Sequence, residues 1–124
     1  MTPGAEALNM QISTRQLGDV TVVDVTGDIT LYHSPDLRKT LLDLIKTQKV
    51  TYVVVNLTNV KYIDSAGVAS LIEGLKASRD MKSRFSLFGL SRVAREVLEL
   101  TRLLKVFEVY ENETQALETK PANP

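Results

Sequence analysis

The sequence predicts an α/β domain with the element order ββαβαβαβα, in which a mixed sheet carries its helices mainly on one face. Three observations lead there. Runs rich in β-branched residues alternate with runs whose apolar residues fall at helical spacing, the pattern of strands joined by helical crossovers. The chain opens with two strand-like runs before any helix, which requires an antiparallel hairpin at the start. The most apolar run, Thr51 to Leu57, sits mid-chain and reads as a strand covered on both faces, the centre of the sheet.

In order, Met10, Ile12 and Thr14 alternate with polar residues, and after Leu17-Gly18-Asp19 the run Val20 to Thr26 is dense in β-branched residues. Ser34-Pro35 predicts a helix start, with Ser34 capping free amides and proline losing no hydrogen bond at the first helical position. Leu37, Leu41, Leu44 and Ile45 supply its buried stripe. Val60 to Asp64 leads into a second helix, where Val68, Leu71, Ile72 and Leu75 repeat at i, i+3, i+4 and i+7. Arg84 to Phe88 is a strand closed by Gly89. Ser91 caps a third helix whose Arg92/Glu96 and Arg95/Glu99 pairs are spaced one turn apart. Val106 to Tyr110 is the last strand, and Asn112 with Gln115 has the spacing of a capping box for a short final helix. Each parallel crossover is expected to be right-handed, which keeps the helices to one side.

The 124 residues suit one domain, with 44% hydrophobic and 24% charged side chains. Fifteen basic and fifteen acidic groups cancel, so no general field draws the chain to nucleic acid or an anionic membrane, and partners must be recognised locally. The absence of cysteine excludes disulfides, zinc-thiolate sites and thiol catalysis, and suits a cytoplasmic location. No signal-peptide pattern and no uncharged run near the roughly 20 residues of a membrane span is present. Residues 1–8, with Pro3 and Gly4, and 120–124, with two prolines, read as flexible ends around a folded body at 9–119.

The stretch that carries chemistry is Val53 to Leu75, VVVNLTNVKYIDSAGVASLIEGL: a buried strand, a short loop, and Asp64-Ser65-Ala66-Gly67 opening an amphipathic helix. Together with Val25-Thr26-Gly27-Asp28-Ile29 after the second strand and the Phe85-to-Gly89 strand, it resembles the STAS family, named for sulphate transporters and anti-sigma factor antagonists. The resemblance spans about residues 9 to 119 and implies a single STAS-like domain. It implies that Ser65 is the phosphorylation site, modified by an anti-sigma factor that is also a serine kinase and restored by a serine phosphatase of the PP2C type. Only the unmodified form would bind the anti-sigma factor. The surface implied for that partner comprises Asp28, Thr30, Asp64, Ser65, Ala66 and Gly67. Two positions depart from the pattern: some antagonists carry an acidic residue where Thr30 stands and a hydroxyl residue where Ala66 stands, so Ser65 is left as the single hydroxyl of the motif.

Independently of the resemblance, a serine at a helix start is open to a kinase, and a phosphate there meets free amides and the positive end of the helix dipole. Modification then leaves the fold intact. Across an interface the same charge of about −1.5 to −2 has to be desolvated, and docking is lost. Asp64 can cap the helix or orient the Ser65 hydroxyl, capping being the favoured role. Gly67 and Gly74 permit close packing on a partner or on the sheet.

Simpler readings stand beside these. Ser65 taken alone could be an ordinary helix-start serine. His33, the single histidine, lacks companions for a metal site and is read as a surface residue, with no metal and no cofactor expected. Tyr52, Phe85, Phe88, Phe107 and Tyr110 are read as core, and Met81-Lys82-Ser83-Arg84 as a solvated basic loop. Catalysis is not expected, since the phosphate-cradling and nucleophile-elbow motifs are missing. A phospho-aspartate receiver with Asp64 as acceptor would begin with a strand and a helix rather than a hairpin. A STAS adaptor that docks on a transporter ATPase or stress-signalling scaffold without modification keeps the fold and changes the task. Monomer and weak dimer are both compatible with the sequence.

Overall fold

A computed structural model describes residues 10–119, so the flexible ends expected at 1–8 and 120–124, and Asn9, lie outside the described residues. The elements are β1 (Gln11–Leu17), β2 (Val20–Thr26), α1 (Ser34–Leu42), a π-helical turn (Asp43–Thr47), β3 (Tyr52–Asn59), α2 (Ser65–Asp80), β4 (Arg84–Phe88), α3 (Arg92–Leu100), β5 (Glu108–Tyr110) and α4 (Glu113–Glu118). They form one five-stranded sheet in the order β1-β2-β3-β4-β5, antiparallel between β1 and β2 and parallel elsewhere. The predicted order and mixed sheet are found.

Gly18, at φ +62°, occupies the first position of the two-residue turn joining Leu17 to Val20, where a tight hairpin requires a left-handed residue. Val53, Val55 and Leu57 of β3, with Val23, Val25, Phe85 and Leu87, form the main core with Leu37, Leu41, Leu71, Leu75, Ala94 and Leu98 of α1 to α3. Val22, Tyr52, Val54 and Phe88 face the opposite way, against Ala116 of α4. Among the described residues, three helices therefore share one face, and the short α4 covers the other.

Several local expectations change. Ser34 is the first helical residue and is buried; His33 occupies the cap position without a side-chain bond, and the Ser34 carbonyl accepts the Ser70 hydroxyl at 2.9 Å. The serine is drawn inward because its carbonyl docks α1 on α2. The last strand is shorter than Val106 to Tyr110, because Val106 N–H turns back to the Leu103 carbonyl. Arg92 pairs with Glu96 at 3.3 Å, whereas among the described residues no ion pair joins Arg95 to Glu99. Arg84 is no solvated loop residue: it begins β4, lies 4.2 Å over the Tyr52 ring and pairs with Glu108 at 2.8 Å.

Helix ends show a device the sequence hid. Lys49, Lys82 and Arg102 take φ of +56°, +56° and +60° just after the π-helical turn, α2 and α3. Backbone bonds from Ser83 to Ser78 and from Leu103 to Leu98 then close the last turns of α2 and α3, the usual task of glycine. The basic side chains meet the negative end of each helix dipole, which offsets part of the left-handed cost.

Candidate functional site at the carboxyl ends of the strands

Where β2 and β3 end, their register shifts between Asp24 and Thr26, and the strand exits lie side by side. Gly27, at φ +92°, donates its amide to the Asn59 carbonyl at 3.2 Å. Ile29 forms a parallel bridge with Ile63, exchanging Ile29 N–H to Tyr62 O at 3.0 Å and Asp64 N–H to Ile29 O at 3.1 Å. Both isoleucines are fully buried, so this bridge anchors two loops to the core just before α2 begins.

Asp64 joins those loops. Its Oδ1 accepts Gly67 N–H at 2.9 Å, the N-cap bond of α2, and its Oδ2 accepts Leu31 N–H at 2.9 Å from the neighbouring loop. Capping is thus the observed role, extended by a second bond that ties Leu31 to the start of the helix. Both carboxylate oxygens are engaged by backbone donors.

Ser65 follows as the first residue of α2, with its side chain exposed; Ala66 is half-buried. Gly67 differs from the expectation of a partner contact: it is buried, and a Cβ there would lie 2.6 Å from the Ile29 carbonyl oxygen and 2.7 Å from Ile63 Cγ2. Its missing side chain serves the Ile29/Ile63 anchor. Gly74 likewise faces Leu41 and Phe85 inside the molecule. Asp28 and Thr30 are partly exposed on the loop carrying Ile29, and the Thr30 carbonyl accepts the amides of His33 and Ser34. The structure therefore brings Asp28, Thr30, Asp64, Ser65 and Ala66 to one end of the sheet, the position where open parallel sheets present ligands and partners.

Sequence reasoning missed the apolar surroundings. Leu31 is 67% exposed and Tyr32 86%, and Tyr62 before Asp64 is also exposed. The signal was available: Leu31-Tyr32 is an apolar pair in a loop, outside any helical or strand period. Together they make the rim around Ser65 apolar, as at docking surfaces. From Ala66 a shallow groove of about 440 Å³ runs between α1 and α2, lined by Pro35, Ala69 and Ser70 with Arg38 and Glu73 at its borders. Ser91 ties the start of α3 to the loop before α2, donating its hydroxyl to the Lys61 carbonyl at 2.9 Å and accepting Ala94 N–H at 3.1 Å.

Among the described residues no cluster of His, Cys, Asp or Glu is arranged to hold a metal, and no helix is long and apolar enough to cross a membrane. The perturbed titrating groups lie on the opposite sheet face. The Arg15 guanidinium, bonded to Asp24 at 2.6 and 2.9 Å, holds that carboxyl below the usual aspartate range, aided by Asn56 Nδ2 at 2.8 Å. Burial pushes the Tyr52 phenol up. These groups brace the fold.

A family model described as the STAS domain matches residues 11–116. An anti-sigma-B factor antagonist of Staphylococcus epidermidis is 33% identical over 85 residues, covering 68% of this chain and 77% of that protein. The crystal structure of an anti-sigma factor antagonist from Mycobacterium paratuberculosis superposes with a TM-score of 0.80 at 22% identity, over 88% of this chain and 92% of that one. The anti-sigma factor antagonist SpoIIAA of Bacillus superposes in its unphosphorylated form with a TM-score of 0.75 at 17% identity, over 87% of this chain and 94% of that one. Its phosphorylated form also matches, with a TM-score of 0.69.

Proposed function

The chain belongs to the STAS domain family, and from that premise we propose that it is a cytoplasmic anti-sigma factor antagonist that works by docking rather than catalysis and is switched at Ser65. The observation that carries this reading is the pairing of an exposed serine at the first position of α2 with a rim of exposed Leu31, Tyr32 and Tyr62. In the unmodified state an anti-sigma factor that is also a serine kinase covers this end, burying the apolar rim and leaving its sigma factor free. Asp28, Thr30 and Ala66 border the contact.

The kinase transfers the γ-phosphoryl group of ATP to Ser65 Oγ: the new P–O bond forms as the bond to the ADP leaving group breaks, and the hydroxyl proton is released. The Ser65 and Ala66 amides stand at the positive end of α2, so the phosphate is tolerated by the fold. Asp64 is kept from the reaction by its bonds to Gly67 and Leu31, and its charge beside the phosphate adds to the repulsion an incoming surface meets. Docking fails because about −1.5 to −2 charges would have to be desolvated inside an apolar rim. A serine phosphatase of the PP2C type hydrolyses the ester and resets the switch.

The test captures the partner from native cytosol on immobilised full chain, then measures its affinity for Ser65→Ala and Ser65→Glu variants. Alanine is expected to bind as the parent does and glutamate to lose at least about 100-fold, the worth of one buried unpaired charge. Intact mass after incubation with the captured partner and ATP should rise by one phosphate, located at Ser65. Equal affinities of the two variants would exclude the switch and leave a constitutive adaptor.

A further inference from the structure

β1 is the outer strand of the sheet, paired with β2 on one side only. Leu17 and Val20 flank a two-residue turn, so they form the hydrogen-bonded pair that closes the hairpin, and the continuous register then fixes every other position. Gln11, Ser13, Arg15 and Leu17 turn their backbone groups toward β2. Ile12, Thr14 and Gln16 turn theirs outward, where among the described residues no N–H or carbonyl receives them. Edges of this length are ordinarily blunted by proline, lysine, a bulge or a charge held over the rim. β1 has seven residues, QISTRQL, with no proline, no lysine and no register shift, whereas the opposite edge, β5, has three. Its single charge, Arg15, is drawn back over the sheet by Asp24 and Glu113.

From this unpaired row of backbone groups we infer that the β1 edge is an interface for a second copy of the same chain, the two β1 strands running antiparallel about a two-fold axis at Thr14. Thr14 is the midpoint of β1, so this register alone overlaps all seven residues. It sets Ile12 opposite Gln16 of the other copy and Thr14 opposite its own counterpart, each pair exchanging two backbone bonds. Arg15 falls opposite Ser13; a register centred on Arg15 would instead set two guanidinium groups against each other and drop Gln11 and Ile12 from the overlap. The Gln16 side chain does not obstruct the edge, since it bonds back to the Gly18 carbonyl and to Thr21 Oγ1. A strand from a different protein would draw its specificity from pockets beside the edge, but the larger grooves are lined without a residue of β1. The contact engages seven residues a side, against roughly 20 to 30 in a standard interface, so the dimer is weak, with a dissociation constant on the order of tens of micromolar or higher. Ser65 begins the helix that follows β3, and β2 lies between β3 and the edge. Dimerisation therefore leaves both switch sites open.

Sedimentation velocity of the full chain from about 10 μM to 1 mM tests this, a range bracketing the expected constant. The parent chain is expected to shift from monomer toward dimer, and over the same range amide exchange at Ile12, Thr14 and Gln16 should slow while that at Ser13 and Arg15, already bonded to β2, stays as it is. Thr14→Pro removes an outward N–H that no intramolecular bond uses, so it should remain monomeric with an unchanged far-UV spectrum. Thr14→Lys and Thr14→Glu each set like charges across the axis and should associate at least about 10-fold more weakly than the parent. An equimolar mixture of these two variants joins opposite charges at the axis and should associate more tightly than either alone. A parent chain monomeric throughout, a dimer whose Ile12, Thr14 and Gln16 amides exchange as fast as in the monomer, a folded Thr14→Pro variant that still dimerises, or a mixture no tighter than its components would each overturn the inference.

Discussion

Asp64 and Leu31 stand 33 positions apart in sequence, yet the carboxylate of one accepts the amide of the other at 2.9 Å while its second oxygen caps α2 through Gly67. One side chain thus sets both the helix that begins with Ser65 and the loop that displays Leu31 and Tyr32. Asp64→Asn keeps an acceptor for Gly67 but can turn an N–H toward Leu31, and Asp64→Ala removes both bonds. The alanine variant is expected to lose about 1–2 kcal/mol of stability in urea titration, with the asparagine variant losing less. Amide exchange at Leu31 should quicken in both; unchanged exchange there would show that the clamp does not hold the loop.

Gly67 and Gly74 sit two turns apart on α2 and respond differently to a methyl group. At Gly67 the obstacle is the Ile29 carbonyl and the buried Ile63, which cannot move without breaking the parallel bridge. Gly67→Ala is expected to cost about 2–3 kcal/mol, lowering Tm by roughly 10 °C or more. At Gly74 the neighbours are the Leu41 and Phe85 side chains at 3.0 Å, which need give only a few tenths of an ångström. Gly74→Ala should be near neutral, because the helix gains about 1 kcal/mol from losing a glycine. Equal costs at both sites would contradict this account.

Tyr52 fastens α4 to the sheet: its hydroxyl donates to the Ala116 carbonyl at 2.7 Å and shares a second bond with Ser86 Oγ, also at 2.7 Å. Tyr52→Phe strands both partners in a buried place and is expected to cost about 1–3 kcal/mol by denaturant unfolding. Protection of the α4 amides from exchange should fall first. The phenol pKa is raised by burial, so the folded state favours the protonated form. That contribution is complete below the unfolded tyrosine pKa and lost as pH rises through the folded one; the phenylalanine variant should lack this alkaline component.

Asp24 carries the acid side of the pH profile. The hydrogen bonds from Arg15 and then Asn56 hold its pKa below the ordinary value, despite opposing desolvation. A carboxyl depressed in the folded state stabilises above its unfolded pKa and ceases to do so as pH falls through the folded pKa. The difference in unfolding free energy between pH 7 and about pH 2 should therefore shrink in Asp24→Asn, whose side chain does not titrate there. An unaltered pH profile would place the acid sensitivity elsewhere.

How much was legible follows from the range over which each residue acts. Thr51 to Leu57 announced a central strand because a continuous apolar run has few other places to go, and Tyr52 to Asn56 of it is paired with β2 on one side and β4 on the other. Asn112 with Gln115 announced a helix start, and Asn112 Oδ1 does accept Gln115 N–H at 2.9 Å, although the reciprocal glutamine bond goes to Glu111 rather than to Asn112. Ser34 misled because its local sequence fits a cap, while its carbonyl is claimed by Ser70 across the helix pair. Arg84 looked solvated because nothing nearby in sequence signals the Tyr52 ring and Glu108 that receive it.

By itself the sequence determined the order of strands and helices, the place of Ser65 at a helix start, and the neutral charge that makes recognition local, since propensity, period and composition are properties of short segments. Tertiary structure alone decided that Leu31 and Tyr32 stand beside the start of α2 that carries that serine, and that Gly67 packs against Ile29. Those are relations between segments tens of residues apart, and they come into being only when the sheet aligns the strand ends and the core takes up whichever apolar faces can reach it.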